Sequence, residues 1–148
     1  MNWQDKGYLL SKNKYSENNK EHGKVTGVIY GSTSKKIKNY LLIGNKFHLN
    51  FSSKNDSKIG YFKIEIDKII TPYFMEDKNK LLCITYSMNL IKLLTVEGQQ
   101  NINVFELIKN LKVLLEDDKW LIKFIFWELS FYKSVGYDIE FKDYVDKE

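Results

Sequence analysis

Several residue types are absent or nearly absent from this chain of 148 residues. It has no alanine and no arginine, one cysteine (Cys83) and one proline (Pro72). A single cysteine can form neither an intramolecular disulfide nor a cysteine-based zinc site, so both are excluded. All 23 basic residues are lysine, in a chain rich in Asn, Ile, Phe and Tyr, whose codons are AT-rich. We therefore attribute the absence of arginine to an AT-rich genome and not to function.

Long apolar runs are also missing. No stretch of the sequence approaches the run of about 18 apolar residues that a membrane-spanning helix requires. The N-terminal residues 1–6 are too polar for a secretory signal. We expect a soluble, cytoplasmic protein without membrane contact.

Groups that could perform catalysis are scarce. His22 and His48 are the only histidines, and we interpret both as plain surface residues. Cys83 lies among apolar neighbours and is interpreted as a small core residue. The acidic run 116–118 is explained by stabilisation of a helix N-terminus. With no phosphate-binding glycine loop in the sequence, we expect no enzymatic activity, metal or cofactor.

The net charge of +4 is distributed unevenly. Residues 1–72 hold 13 lysines and six acidic residues, a net +7, whereas residues 73–148 hold 10 lysines and 13 acidic residues, a net −3. The hydrophobic period changes at the same place, next to Pro72. We therefore predict a basic domain over 1–72, which is the candidate polyanion-binding half, and a second domain over 73–148.

Apolar residues alternate with polar ones in the first half. Phe47, Leu49 and Phe51 share one face of a predicted strand, and the segment 61–67 repeats the pattern after a polar loop. Two earlier strands are predicted over 6–11 and 24–30. Short strands separated by glycines favour a small antiparallel barrel.

The second half has a helical period instead. An apolar stripe from Val104 to Leu115 predicts a helix with Asn103 as a possible N-cap. Another helix is predicted over 81–96, ended by Gly98. A third opens near 117–118 and is apolar nearly all round, so we expect it at the buried centre of this half. The fold class is α+β, a β-barrel followed by an α-helical domain.

One basic segment stands out as a candidate DNA-binding site. After Gly31 come small hydroxyl residues and then Lys35, Lys36 and Lys38. Such a loop can contact phosphates through ammonium and hydroxyl groups. Weaker candidates for the same contact are Lys12, Lys14, Lys24 and Lys46. Tyrosines near the strands can either stack on unpaired bases or form half-buried scaffold, which is the commoner role; they are Tyr8, Tyr15, Tyr30 and Tyr61.

The order of several short motifs resembles a known family. These motifs are Trp3-x-x-x-Gly7-x-Leu9-Leu10, Tyr15-Ser16-Glu17, His22-Gly23-Lys24-Val25-Thr26-Gly27-Val28-Ile29-Tyr30-Gly31, Ser34-Lys35-Lys36, and Trp127-Glu128-Leu129-x-Phe131-Tyr132-x-x-x-Gly136-Tyr137-Asp138-Ile139-Glu140-Phe141. Together they resemble the bacterial recombination mediator RecO, over essentially the whole chain. The resemblance implies that the barrel has an OB-fold.

The resemblance also implies a function in DNA repair and recombination by the RecF pathway. It implies binding of single- and double-stranded DNA, annealing of complementary strands and, with RecR, assistance in loading RecA on DNA coated by single-strand binding protein. The expected location is the cytoplasm, in association with the nucleoid. The alternative is an OB-fold protein-interaction module whose lysines only make it soluble.

Two departures from the family pattern lead to expectations about the fold. No apolar residue occurs between Tyr15 and Val25, where the family has a further apolar strand, so we expect a barrel that is incomplete or locally rebuilt. The chain ends at Glu148, without the helices and basic tail with which family members usually finish. The helical domain is therefore expected to be incomplete relative to the family.

Overall fold

The computed structural model describes residues 2–12, 15–31, 35–54 and 59–137. Five strands come first, interrupted by one short helix, and three longer helices follow. The elements are β1 (Asn2–Ser11), β2 (Tyr15–Asn19), β3 (Gly23–Ile29), α1 (Lys35–Lys38), β4 (Lys46–Ser52), β5 (Gly60–Lys68), a 3-10 turn (Thr71–Phe74), α2 (Lys78–Leu94), α3 (Ile102–Leu115) and α4 (Trp120–Ser134). This order confirms the α+β class.

The five strands close into a barrel in the order β1-β2-β3-β5-β4. All neighbours are antiparallel except β3 and β5, which run parallel with Val28 opposite Tyr61. The alternating residues of β4 and β5 point their apolar members inward, where Phe47, Leu49 and Phe62 form the barrel core with Leu9. The predicted OB-like barrel is therefore confirmed.

Strand β2 occupies the part of the barrel for which the sequence shows no apolar strand. It pairs with β1 through Gly7 and Asn19, and with β3 through Asn19 and Gly23. The Asn19 side chain is fully buried and its Nδ2 donates to the Gly23 carbonyl at 3.1 Å. A Cβ on Gly7 would lie 2.5 Å from Asn19 Oδ1, so glycine makes room for the amide. Of the two expectations, the incomplete barrel is wrong, and a local rebuilding agrees with the structure, because a polar strand closes the barrel.

The ends of two helices differ from the prediction. Asp77 caps α2 by accepting from the Lys80 N–H, and Thr95, not Gly98, follows its last turn. Gly98 instead donates its N–H to the Lys24 carbonyl on the barrel at 2.7 Å. The N-cap of α3 is Asn101, two residues before the predicted Asn103, and its side chain accepts from the Val104 N–H at 3.2 Å.

The predicted burial of α4 is wrong for half of its surface. Phe124, Trp127 and Phe131 face the core, and the Trp127 indole donates to the Leu107 carbonyl at 2.7 Å. The opposite face, which is equally apolar, is exposed. A helix that is apolar all round was expected at the centre of the helical half, but in the described residues α4 is covered on one side only.

The helices pack directly on the barrel. Tyr8 and Leu10 point outward from β1 and belong to the helical core, with the Tyr8 ring 5.4 Å from that of Phe105. The connection between the two halves is buried as well, because Ile70 and Phe74 join the same core. The two halves are therefore joined by a packed segment and not by a solvated linker.

The buried side chain of Asn45 fixes this connection. Its Oδ1 accepts hydrogen bonds from the N–H groups of Ile70 and Thr71, at 2.9 and 3.1 Å. One side chain thereby satisfies two buried backbone donors at the point where the chain leaves the barrel. In the described part of the chain, no helix has the length and apolarity needed to cross a membrane.

Candidate nucleic-acid interface

The basic segment forms the single turn α1, held to the barrel by one residue. Ile37 packs against the barrel core, and its side chain lies close to Gly31, where a Cβ would be 3.4 Å from Ile37 Cδ1. Lys35, Lys36 and Lys38 are all exposed. The structure therefore brings the three strongest candidate lysines together on a turn whose apolar residue anchors it. Residues 32–34 lie outside the described residues.

Two tyrosines and a lysine lie on the outer surface of β5 and the end of β3. Tyr30 and Tyr61 are 66% and 54% exposed. Lys63 Nζ lies 5.8 Å from the Tyr30 ring centroid, within cation–π range. We refer to Tyr30, Tyr61 and Lys63 as the tyrosine face. Since Tyr30 precedes Gly31, against which Ile37 packs, this face adjoins α1.

The structure decides between the two possible roles of Tyr8. Tyr8 is 1% exposed and packs on Phe105, so of its two possible roles it has the scaffold role and offers no base-stacking surface. Burial also raises the pKa of the Tyr8 hydroxyl well above its usual value. The side chain of Tyr15 lies outside the described residues. Lys63 was not among the candidates, although its position two residues after Tyr61 on the outward side of an alternating strand was visible in the sequence.

The Lys24 ammonium group makes two hydrogen bonds within the chain. Its Nζ donates to the carbonyl oxygens of Lys92 and Thr95, at 2.8 and 2.6 Å. These carbonyls lie in and just after the last turn of α2, where a cation is favoured by the helix dipole. Lys24 thus links β3 to the end of a helix. Lys12 is exposed at the end of β1, and Lys14 lies outside the described residues.

Lys46 lies in the groove between the barrel and α3. Its side chain is 9% exposed and its Nζ lies 3.8 Å from Asp67 Oδ2. The rings of Tyr8 and Phe105 are 5.4 and 5.6 Å from the same ammonium group. Burial lowers the pKa of Lys46, while Asp67 acts in the opposite direction. The alternation placed Lys46 on a polar outer face, but α3 covers this part of that face.

Both histidines lie beside carboxylates. His48 is a surface residue, as interpreted, whereas His22 is half-buried. His22 Nδ1 lies 3.1 Å from Asp5 Oδ2, and its ring stacks on Trp3 at 3.9 Å with an interplanar angle of 6°. His48 Nε2 lies 3.0 Å from Asp67 Oδ1. Each histidine therefore fixes a side chain of the barrel. In the described residues, no group of three His, Cys, Asp or Glu side chains is placed to hold a metal ion.

Known proteins align with nearly the whole chain. Residues 75–146 match the family described as recombination protein O C terminal. Proteins named DNA repair protein RecO align over 95% of the chain: the protein of Ehrlichia chaffeensis is 27% identical over 150 residues and that of Rickettsia akari 30% over 147. The protein of Rhodospirillum centenum is 20% identical over 148 residues. The chain covers 60%, 62% and 59% of these three relatives.

Proposed function

We propose that this chain, which aligns over 95% of its length with a DNA repair protein RecO, functions in DNA repair and recombination. In this proposal it binds single-stranded DNA on the outer surface of its barrel. The barrel, over residues 1–72, carries the DNA-binding surface in this proposal. The helical domain, over 73–148, supports the barrel and contacts partner proteins.

The observation that carries this proposal is the tyrosine face beside the lysines of α1. An exposed aromatic ring stacks on a base whatever its identity, and each such contact contributes about 1–3 kcal/mol. Lysines neutralise phosphates without reading sequence, because an ammonium group is a point charge. The two features together suit a strand whose bases are unpaired, since bases in a duplex are stacked on each other and unavailable to Tyr30 and Tyr61.

The set of lysines in the proposal follows from their surroundings. Lys35, Lys36 and Lys38 are free to meet phosphates on α1, and Lys63 adds a fourth charge on the tyrosine face. Lys24 and Lys46 are tied to carbonyls and to Asp67. We therefore assign them to the junction between barrel and helices.

Further activities are proposed from the resemblance to RecO. They are annealing of complementary strands and, with RecR, assistance in loading RecA on DNA coated by single-strand binding protein. The alternative function, a protein-interaction module without direct DNA binding, is favoured by the exposed apolar face of α4.

A salt titration distinguishes the two functions. Binding of the full chain to a fluorescent oligonucleotide of about 30 nucleotides is measured by anisotropy over a range of salt concentrations, with the matching duplex as comparison. We expect tighter binding to the single strand and an affinity that falls linearly with log salt. Absence of binding at low salt, or equal affinity for the duplex, would contradict the proposal.

A further inference from the structure

The groove between the barrel and α3 contains a buried lysine whose charge is only partly compensated. The groove has a volume of about 720 Å³ and lies where outward-facing residues of β1 and β4 meet α3. The Lys46 side chain is 9% exposed there, and its Nζ lies 3.8 Å from Asp67 Oδ2, which is too far for a hydrogen bond. Among the described residues, the three donors of this ammonium group therefore have no hydrogen-bond acceptor. A buried charge without hydrogen bonds is unfavourable, so this lysine favours a bound acceptor.

A single carboxylate, that of Asp67, is shared by three basic side chains. Lys6 Nζ lies 3.9 Å and Lys46 Nζ 3.8 Å from Asp67 Oδ2, and His48 Nε2 lies 3.0 Å from Asp67 Oδ1. One negative charge cannot balance two lysines, whether or not the histidine is protonated. The cluster therefore has a net positive charge.

Two further lysines increase this positive charge. Lys68 on β5 is the strand partner of Lys46, and Lys109 lines the groove from the side of α3. Burial lowers the pKa of Lys46, and the charges of Lys6, Lys68 and Lys109 lower it further, while Asp67 acts in the opposite direction. Four lysines are thus arranged around one aspartate.

The other acidic residues that line the groove leave this excess in place. Both carboxylate oxygens of Asp5 already accept hydrogen bonds from backbone N–H groups. Glu65 and Glu106 are exposed, and neither is among the charges that shift the pKa of Lys46. Lys20, which is also exposed, adds a further cation to the lining. The excess of positive charge therefore lies at the inner end of the groove, around Lys46.

We propose that the groove binds a phosphate monoester, with the Lys46 ammonium group as its central contact and Lys6 and Lys109 at its sides. At neutral pH such a group carries about two negative charges and has three acceptor oxygens. It can therefore accept hydrogen bonds from several lysines at once and balance the charge that Asp67 leaves. An internal phosphodiester of DNA carries one charge and has a sugar on both sides, so it is the poorer ligand.

The surroundings of Lys46 suit an anion that enters from solvent. The side chains of Lys6 and His48 are 51% and 48% exposed, so the groove is open on their side. On the inner side, the rings of Tyr8 and Phe105 lie 5.4 and 5.6 Å from Lys46 Nζ. An apolar wall lowers the local dielectric constant, which strengthens the attraction between an ammonium group and a phosphate.

This site is separate from the tyrosine face and goes beyond the function proposed above. Asp67 follows Tyr61 by six residues on β5, which places it about 20 Å away along the strand. Phosphate binding in the groove requires no base stacking. Binding of a phosphate monoester and binding of single-stranded DNA can therefore succeed or fail independently.

Isothermal titration calorimetry of the full chain with inorganic phosphate, at constant ionic strength, tests the proposal. We expect one site with a dissociation constant of about 1 mM or lower. Lys46→Met keeps the aliphatic stem but removes the central donor, and should weaken binding at least about 10-fold. The matched control is Lys24→Met, which removes an ammonium group that donates to carbonyls outside the groove and should leave phosphate affinity unchanged. Circular dichroism verifies that both variants are folded.

A second pair of variants tests the site at an exposed position, where folding is not at risk. Lys6→Gln should weaken phosphate binding by about 3-fold or more, whereas Lys12→Gln, with the same change in net charge beyond the end of β1, should not. The proposal would be overturned by a parent chain that shows no saturable phosphate binding. Equal losses in Lys46→Met and Lys24→Met would also overturn it.

Two further titrations distinguish a DNA end from a free nucleotide as the source of the phosphate. They use adenosine monophosphate, and a strand of about 10 nucleotides with either a 5′-phosphate or a 5′-hydroxyl. If the source is a DNA end, the phosphorylated strand binds more tightly, and Lys46→Met removes the difference. If it is a nucleotide, adenosine monophosphate binds and the two strands bind equally. Replacing Tyr30 and Tyr61 by Leu should leave the phosphate titration unchanged, and loss of phosphate binding in that variant would contradict a separate site.

Discussion

The Lys24 ammonium group donates to the Thr95 carbonyl oxygen at 2.6 Å, across the junction between the barrel and the end of α2. This contact joins residues 71 positions apart in the sequence. It turns a lysine of the basic half into a C-terminal cap of a helix in the acidic half.

Replacement of Lys24 should therefore affect stability more than DNA binding. Lys24→Met keeps the aliphatic stem but removes the donor to two carbonyls, and should lower the free energy of unfolding by about 1–3 kcal/mol. The control Lys12→Met, at an exposed lysine, should change it by less than about 0.5 kcal/mol. Urea denaturation measures both. Equal stability of the two variants, or a shallower salt dependence of DNA binding in Lys24→Met alone, would contradict this assignment.

A pair of glycines tests the close contact at the same junction. Gly23 has φ +68°, and a Cβ there would lie only 1.9 Å from the Gln99 carbonyl oxygen. Gly98 has φ +74° with open space around it. Gly98→Ala should cost about 1 kcal/mol of backbone strain, whereas Gly23→Ala must also displace the segment at Gln99 and should cost at least about 2 kcal/mol more. Thermal or urea unfolding measures the difference. Similar losses of unfolding free energy in the two variants would contradict it, because they would mean that the segment at Gln99 moves aside at no cost.

The lysines of α1 are tested by their effect on salt dependence. Replacing Lys35, Lys36 and Lys38 by Gln should make the slope of log affinity against log salt shallower by about 2 to 3 units, because each lost phosphate contact removes about 0.7–0.9 of a released counterion. The loss should be similar for unrelated sequences. The control replaces three exposed lysines of the helical half by Gln, with the same change in net charge: Lys78, Lys109 and Lys119. An identical slope in the parent and the α1 variant would leave the interaction-module function as the better explanation.

The tyrosine face should affect affinity without changing that slope. Replacing Tyr30 and Tyr61 by Leu removes two stacking surfaces but no charge, and should weaken single-strand binding at least about 10-fold. Duplex binding should change little. Tyr73→Leu is the control, because Tyr73 is 69% exposed on the helical half. Anisotropy at fixed salt measures these affinities, and equal losses for single strand and duplex would argue against stacking.

Tyr86 gives a prediction on pH. A hydrogen bond with Tyr132, together with burial, raises the pKa of Tyr86 to about 12, from a usual value of 10. Between these two values the folded chain holds the proton that the unfolded chain has lost, so the contribution of Tyr86 is fully present below pH 10 and is lost as the pH rises toward 12. The difference in free energy of unfolding between the parent and Tyr86→Phe should therefore shrink over this range. A difference that stays constant would refute the effect.

A strand or helix of this fold can be predicted from the sequence where its inward-facing residues are apolar. Strands β4 and β5 are visible in the sequence because their inward residues are apolar and alternate. Strand β2 is not visible, because the buried residues described in it are Asn18 and Asn19, and the Asn19 amide hydrogen-bonds to Gly23. The capping residue of α3 was misplaced by two positions, since Asn101 and Asn103 carry the same side chain and only the backbone distinguishes them.

The candidate site, too, can be predicted only in part. Charge patterning was enough to select Lys35, Lys36 and Lys38, which the structure leaves exposed. The same patterning selected Lys24 and Lys46, because a count of charges cannot show which lysines the helical half covers. That information depends on contacts such as Lys46 with Phe105, which lies 59 positions further along the chain.

The packing of Tyr8 against Phe105 has a consequence for synthesis of the chain. Phe105 is made 97 residues after Tyr8, whereas all five strands are complete at Lys68. Because a nascent chain leaves the ribosome N-terminus first, the barrel can close its hydrogen bonds while Tyr8 and Leu10 still face water. Until α2 and α3 have both emerged, the new protein carries a temporary apolar surface, and this interval is when it is most exposed to aggregation and to capture by chaperones.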